Sequence, residues 1–243
     1  MRFASLGSGS RGNALVVEVK QTRLLLDCGF GIRETVARLS RLDLQPEDLT
    51  GILITHEHAD HIGGAVRLAR RFELPVWLTH GTFTNHALAQ TLPDIRLIDG
   101  HSAFQADEIE VQPFPVPHDA REPVQYAFSS GSKRLGVLTD TGGSTPHIEA
   151  ILSGCDALVL ECNHDPDMLR EGPYPPMLKQ RVAGRFGHLD NGMAARLLAN
   201  LDSSKLQHLI AAHLSEKNNT PELARAALSG VLNCEPEWIG VAD

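Results

Sequence analysis

Short apolar runs separated by polar turns dominate the first part of the chain. Residues 2–6, Ala14–Val19 and Thr22–Asp27 have strand length and composition, and their close spacing predicts a three-stranded meander. From Ile32 to Leu42 the period changes, with Ile32, Val36, Leu39 and Leu42 at helical spacing. Gly51-Ile52-Leu53-Ile54 then reads as a buried strand, Ile62–Phe72 as a helix, Pro75–Leu78 as a strand, 81–91 as a helix and Ile95–Ile98 as a further strand. Later, Glu108–Val116 predicts a strand, Gln125–Ser129 with Arg134–Thr139 a hairpin, and Leu206–Ala212 an apolar strand. A chain that opens β-rich and continues β-α-β predicts sheets covered by outer helices rather than an all-β sandwich.

Chemistry gathers at the strand ends. The Gly51–Ile54 run delivers Thr55-His56-Glu57-His58-Ala59-Asp60-His61, with four metal-competent side chains in six residues. In extended or loop geometry His56 and His58 share one side while Asp60 and His61 turn to another, so one loop can serve two adjacent ions. Gly63-Gly64 follows at once and lets backbone pack beneath the cluster. Three later strands lead into His118, Asp140 and His213. Asp140 is placed either to span two metals or to cap a helix. A lone histidine is more often a core or surface residue than a ligand; a metal-type residue at four separate strand ends is hard to assign to chance. Asp27, closing the third strand, either orients a ligand histidine or caps the next turn. The loop Gly7–Asn13, rich in glycine and hydroxyls, either offers backbone N–H groups to a phosphate, which makes Ser10 and Asn13 substrate candidates, or is a flexible hairpin connection.

Composition narrows the classes. At 243 residues and 42% hydrophobic content the chain can bury a large core, and the absence of linkers, repeats and low-complexity tracts predicts one domain over 1–243. No apolar stretch suits a signal peptide or a membrane span, so a soluble cytoplasmic protein is expected. Four cysteines without a C-x-x-C pair fit a reducing compartment, and Cys28 reads as a packing residue. The net charge of −8 excludes a generally basic nucleic-acid-binding surface; an anionic substrate has to be drawn by local charge.

The H-x-H-x-D-H string, with His118, Asp140 and His213, resembles the metallo-β-lactamase superfamily over nearly the whole chain. That resemblance implies an αββα sandwich of two mixed β-sheets with outer helices. Position by position it implies that His56, His58 and His118 hold one metal, that Asp60, His61 and His213 hold a second, and that Asp140 bridges them. Departures narrow the branch: the lactamases put cysteine or no bridging carboxylate where Asp140 stands, the redox diiron branch puts glutamate where His58 stands, and the stretch between Asp140 and His213 is too short for the inserted domain of ribonuclease J. Glu161-Cys162-Asn163-His164-Asp165, Gly172-Pro173-Tyr174-Pro175, Leu178-Lys179-Gln180-Arg181, Gly187-His188-Leu189 and His213-Leu214-Ser215-Glu216-Lys217-Asn218-Asn219 resemble the YycJ/WalJ group, as does Ser8–Asn13. Asp190 departs from the serine that usually follows Gly-His-Leu there.

The resemblance implies a dinuclear 5′ exonuclease that hydrolyses DNA ahead of RNA through a metal-bridged hydroxide, with Mn or Zn, or Fe, as the ions. Asp60, His188 and Glu161 are the catalytic candidates, His188 as the acid for the leaving oxygen and Glu161 as its orienting partner. Lys179, Arg181 and Arg185 lie in a stretch from Pro173 to His188 that has no acidic residue, which makes it the candidate for phosphate-backbone contact, with a merely solvated basic helix as the competing account. The competing readings are a small-molecule hydrolase of the same superfamily, acting on a lactone, thioester or cyclic phosphodiester, and a non-catalytic, metal-stabilised binding module.

Overall fold

The computed structural model describes residues 1–87, 91–92 and 94–242, and it divides into two compact units. The first comprises Met1–Pro115 with Ala120–Val124. Its sheet contains β1 (Arg2–Gly7), β2 (Ala14–Val19), β3 (Thr22–Leu26), β4 (Gly51–Leu53), β5 (Val76–Thr79) and β6 (Ile95–Ile98), side by side in chain order. The first three pair antiparallel, the expected meander, and β3 to β6 pair parallel. Every residue of β4 and β5 is buried, as a parallel strand covered on both faces requires.

Helices α1 (Ile32–Leu39), α2 (Ala59–Ile62), α3 (Ala65–Phe72) and α4 (His80–Asn85) connect these strands. Residues Ser40–Leu42 continue α1 only as a 3-10 turn that stops at Asp43, whose φ is 57°. The helix expected over Ile62–Phe72 is two helices, because the chain breaks at Gly63-Gly64, and the loop geometry expected for Asp60 and His61 is the helical turn α2. The helix expected over 81–91 starts at His80 and ends at Asn85, where His86 turns extended, φ −115°; residues 88–90 lie outside the described set. Leu25, Ile52, Ile54, Val76 and Leu78 pack with Leu39, Ala65, Leu68 and Ala69 in the core, each fully buried leucine or isoleucine contributing roughly 1.5–3 kcal/mol. A hairpin of β7 (Phe104–Ala106) and β8 (Ile109–Pro115) turns at Asp107, φ 48°. Three residues with a polar centre gave β7 no readable pattern.

The second unit comprises Val116–Asp119 with Gln125–Ala242. Its strands β9 (Val124–Ser130), β10 (Lys133–Leu138), β11 (Ala157–Glu161), β12 (His208–Ala212) and β13 (Gly240–Val241) lie in the order β13-β12-β11-β10-β9. The β9–β10 hairpin is antiparallel and the other pairs are parallel. Completely buried β11 is central among them, and it ends on Glu161. Helices α5 (Pro146–Leu152), α6 (Pro166–Glu171), α7 (Pro176–Val182), α8 (Asn191–Asn200) and α9 (Pro221–Leu232) complete the unit. Asp190 is the N-cap of α8, its carboxylate accepting from the Met193 N–H at 2.6 Å, which is a structural use of the position where the sequence departs from serine. Among the described residues no helix is long and apolar enough to cross a membrane.

In the first unit three loops are stitched together by backbone. Asn13 N–H donates to Asp60 O at 2.7 Å, Cys28 N–H to His61 O at 2.7 Å and Gly64 N–H to Cys28 O at 2.8 Å. Such contact excludes side chains: a Cβ on Gly29 would stand 1.9 Å from Asp60 O, and one on Gly64 would stand 1.7 Å from Phe30 O. We expect Gly29→Ala and Gly64→Ala each to destabilise the protein by about 1–3 kcal/mol in urea denaturation. Gly230→Ala, on the exposed side of α9 with open space around it, should instead stabilise by about 0.5–1 kcal/mol. Equal midpoints for all three variants would refute the backbone stitching.

Candidate metal centre

The metal-type residues divide between the units: His56, His58, Asp60 and His61 stand in the first, and His118, Asp140 and His213 in the second.

In the first unit the organising atom group is the Asp27 carboxylate, 3% exposed at the end of β3. Asp27 Oδ1 accepts the Thr55 N–H at 2.9 Å, while Oδ2 accepts the Thr55 hydroxyl at 2.9 Å and His61 Nδ1–H at 2.8 Å. Since the single Thr55 hydroxyl proton goes to Asp27, its oxygen is an acceptor toward His56 Nδ1, 2.9 Å away. Both imidazoles are thereby set as Nδ1–H tautomers, with the lone pair on Nε2. This is how a ligand histidine is oriented, and Asp27 takes the orienting reading of the two the sequence left open. His58 is half-buried, its ring 4.6 Å from that of His56 and nearly perpendicular to it.

Asn13, expected to contact substrate, is 7% exposed and committed inside the loop: its Oδ1 accepts the Gly9 N–H at 2.8 Å, and its Nδ2 lies 3.1 Å from His61 Nε2 and 3.4 Å from Asp60 Oδ2. Ser10 is exposed. Cys28 is fully buried, and burial pushes its thiol up to about 11, so it packs as expected.

In the second unit Glu161 plays the corresponding part. It is fully buried, and its Oε2 accepts the N–H groups of Thr141 at 3.0 Å and Leu189 at 3.1 Å. Its Oε1 accepts His188 Nδ1–H at 2.8 Å and His213 Nδ1–H at 3.1 Å. Burial by itself would raise the Glu161 carboxyl; the His188 charge and the two imidazole hydrogen bonds outweigh it, and the group is held low, at about 2. The converse holds for His188: burial pulls it down, and the Glu161 charge and hydrogen bond, with Asp140 behind them, raise it above the ordinary imidazole value. His118 donates from Nδ1 to Gly187 O at 3.1 Å, again directing its lone pair to Nε2. His164, whose role the sequence left open, is 2% exposed and pushed down by burial; it bridges to Asp190 in the backbone and reaches Asn163 Oδ1 at 3.3 Å.

The donor sets fit metal ions by distance as well as by type. Asp140 Oδ1 lies 3.5 Å from His213 Nε2 and 3.9 Å from His118 Nε2, and Asp60 Oδ2 lies 3.6 Å from His61 Nε2. These separations exceed a good hydrogen bond. Two ligands at about 2.1 Å from a shared tetrahedral ion stand roughly 3.4 Å apart, which the three pairs approach. Asp140, Glu161, His188 and His213 also bring one donor atom each within 4.8 Å of one another. Glu161 already answers four donors, so it is the support of that group rather than a ligand.

Lys179 and Arg181 lie on α7. Lys179 Nζ donates to Arg170 O at 2.6 Å, and Arg181 Nε donates to Asp119 Oδ2 at 2.6 Å. Sequence reasoning missed Thr55, which relays Asp27 to His56, and Asn163, whose Nδ2 donates to His213 O at 2.9 Å. Adjacency to His56 was the only signal for the first. Nothing in the sequence marked the second beyond its place in the Glu161–Asp165 motif.

A fold of two mixed sheets with oriented imidazoles and carboxylates at the strand ends defines a class of metal-dependent hydrolases. Comparison with known proteins agrees. The family described as "Beta-lactamase superfamily domain" matches residues 22–213. Exodeoxyribonuclease YycJ of Bacillus anthracis is 38% identical over 100% of this chain and 92% of its own length, and exodeoxyribonuclease WalJ of Streptococcus pneumoniae serotype 2 is 32% identical over 99% and 91%. The solved structure of zinc-bound PqqB from Methylobacterium extorquens superposes with a TM-score of 0.75 at 18% identity, over 100% of this chain and 97% of that one. YhfI of Bacillus subtilis, a metallo-β-lactamase fold protein, gives 0.76 at 17% identity, over 99% and 96%. The chain belongs to the metallo-β-lactamase superfamily and, within it, to the YycJ/WalJ group.

Asp27→Asn keeps the size of the side chain and tolerates the left-handed backbone there, φ 58°, but removes the charge and one acceptor. We expect it to weaken divalent-metal affinity about 10- to 100-fold in a chelator-competition titration while the fold persists. Unchanged affinity would mean that Asp27 only closes the loop.

Proposed function

We propose that the protein is a metal-dependent nuclease, a 5′ exonuclease acting on DNA ahead of RNA, that it works as one domain and that it resides in the cytoplasm. The observation that carries this is the Glu161–His188 pair. Breaking a phosphodiester needs a proton for the leaving 3′ oxygen, and an imidazolium held at Nδ1 by a buried carboxylate, which favours the doubly protonated ring, has an Nε2–H to give as that donor. His188 stands beside Asp140, with its Nδ1 3.6 Å from Asp140 Oδ1 and its ring 5.2 Å from that of His213. The full-length likeness to proteins named as exodeoxyribonucleases supports the substrate class.

In this reading His56, His58 and His118 hold one divalent ion, Asp60, His61 and His213 a second, and Asp140 serves both. Histidine and carboxylate donors suit Mn, Zn or Fe; we assign Mn as the working metal, with Zn the one expected after purification. When bound, the ions would supply positive charge at the scissile phosphate and lower the pKa of water from about 15.7 to roughly 7. Asp60 and Asp140 offset only part of that charge, so an anion is attracted locally although the chain carries −8. Ser10 and Asn13 in the first unit and Lys179 and Arg181 in the second are the proposed contacts along the strand, Asn13 through the loop it braces.

The test is to incubate Mn-loaded protein with 5′-phosphorylated and 5′-hydroxyl DNA and RNA, single- and double-stranded, beside a lactone and a generic phosphodiester. Mononucleotides released from the 5′ end, abolished by chelator and restored by Mn, are expected; turnover of the lactone alone would overturn the proposal. His188→Ala should lower kcat about 100- to 10,000-fold with metal content, measured by elemental analysis, unchanged. Wild-type cleavage by that variant would remove the assignment of the acid.

A further inference from the structure

Phe186 is a large aromatic residue left half exposed beside the buried turn that carries His188. Its side chain is among the exposed large hydrophobics, at 49%, while the neighbours on its C-terminal side, Gly187, His188 and Leu189, turn inward to His118, Glu161 and the core. Its backbone, by contrast, is pinned. Phe186 O accepts the Asp119 N–H at 3.1 Å, Gly187 N–H donates to Gly184 O at 2.8 Å, and His188 N–H donates to Val182 O at 2.9 Å. The loop after Asp140 presses against the same stretch so closely that a Cβ on Gly142 would stand 2.2 Å from Arg185 O and 2.7 Å from Phe186 N. An exposed ring on a fixed backbone is a preorganised surface, because little conformational freedom remains to be lost when something stacks on it.

The surroundings indicate what stacks. The Arg185 guanidinium stands 5.2 Å from the ring centroid of Phe186. The chain from Pro173 to His188 holds Lys179, Arg181 and Arg185 and no acidic residue. An aromatic ring with a guanidinium against it suits a flat, electron-rich ring on an anionic backbone, that is, an unpaired nucleobase of a nucleic acid strand. A purely apolar partner would leave the guanidinium without a counter-charge.

We propose that Phe186 is a stacking platform for one nucleobase next to the scissile phosphate, two residues from His188, with Arg185 contacting the adjoining phosphate. This rests on the nuclease reading and adds to it a binding residue with no part in the proton transfer. It makes a single unpaired base, rather than the duplex, the element recognised at this point, and stacking carries little base identity, so the platform favours strand state over sequence.

The test compares the Mn-loaded full-length protein with Phe186→Ala and Phe186→Tyr on 5′-phosphorylated single strands. One substrate is intact, and a series carries one abasic site at successive positions from the 5′ end. Loss of one stacked base should raise KM roughly five- to 150-fold in Phe186→Ala, with kcat changed far less, and Phe186→Tyr should restore it. For the abasic substrate that matches the platform, parent and Phe186→Ala should have the same KM. An alanine penalty that persists at every abasic position, or a fall in kcat alone, would overturn the platform while leaving the nuclease reading intact. Absence of any strand cleavage by the parent protein would overturn both.

Discussion

Two carboxylates taken out of water hold the rings of His61, His188 and His213 and, through Thr55, that of His56. An ionised carboxylate buried alone would give up its charge, because desolvation disfavours the anion. Glu161 keeps its charge because two backbone N–H groups and two imidazoles point at it, and the same bonds that satisfy the carboxylate fix the rings. Asp27 does this in the first unit with the Thr55 N–H, the Thr55 hydroxyl and His61. The reciprocity matters: a ring is held in one tautomer and orientation by the group whose burial it makes tolerable. Removing either partner leaves the other as an uncompensated buried polar group, a more costly defect than the loss of one hydrogen bond.

Backbone conformation does the remaining positioning. Asp27, Asp140 and His213 all have positive φ, at 58°, 48° and 56°, and each lies within two residues of the end of a strand. A strand sends successive side chains to alternate faces of its sheet; one left-handed residue at its end takes the next side chain out of that alternation. Non-glycine residues in this region cost on the order of 1–3 kcal/mol each. The surrounding bonds hold them there: Asp27 N–H donates to Leu53 O at 2.8 Å, and His213 O accepts Asn163 Nδ2–H at 2.9 Å. The same backbone turn also occurs at Lys20, Asp43, Glu73, Asp107 and Asn233, so what sets these three apart is their place just after a strand that leads into the site.

How far the sequence could be read follows from what is local. The meander, the β9–β10 hairpin and the strands before His56, Asp140 and His213 were legible, because strand periodicity and turn residues act over a few positions. The string His56–His61 was legible because four donors crowd one loop. Strand β7 and the short terminal strand β13 were not, since two or three residues hold no period, and Gly63-Gly64 divided a helix whose apolar spacing read as continuous. The relay from Asp27 through Thr55 to His56 joins positions 28 apart, and the sharing of Glu161 between His188 and His213 joins positions 27 and 52 apart. Such pairings are decided by how the strands order themselves, which no window along the chain contains. Asn13 shows the same limit: its side chain braces the loop through Asp60 and His61, 47 and 48 positions away, as well as through Gly9.

On the proposed function an acidic chain handles a polyanion, and the pairing of Arg181 with Asp119 bears on how it does so. Arg181 is bound to Asp119, but the arginine is 58% exposed and the aspartate 32%, so the pair stands largely in water. Ion pairs of that kind hold by about 0–1 kcal/mol. On the proposal that a nucleic-acid strand contacts α7, a phosphate offering the guanidinium two oxygens would compete with Asp119 for Arg181. Asp119 would then stand in for the substrate's charge until the substrate arrives, which would reconcile such a contact with a net charge of −8.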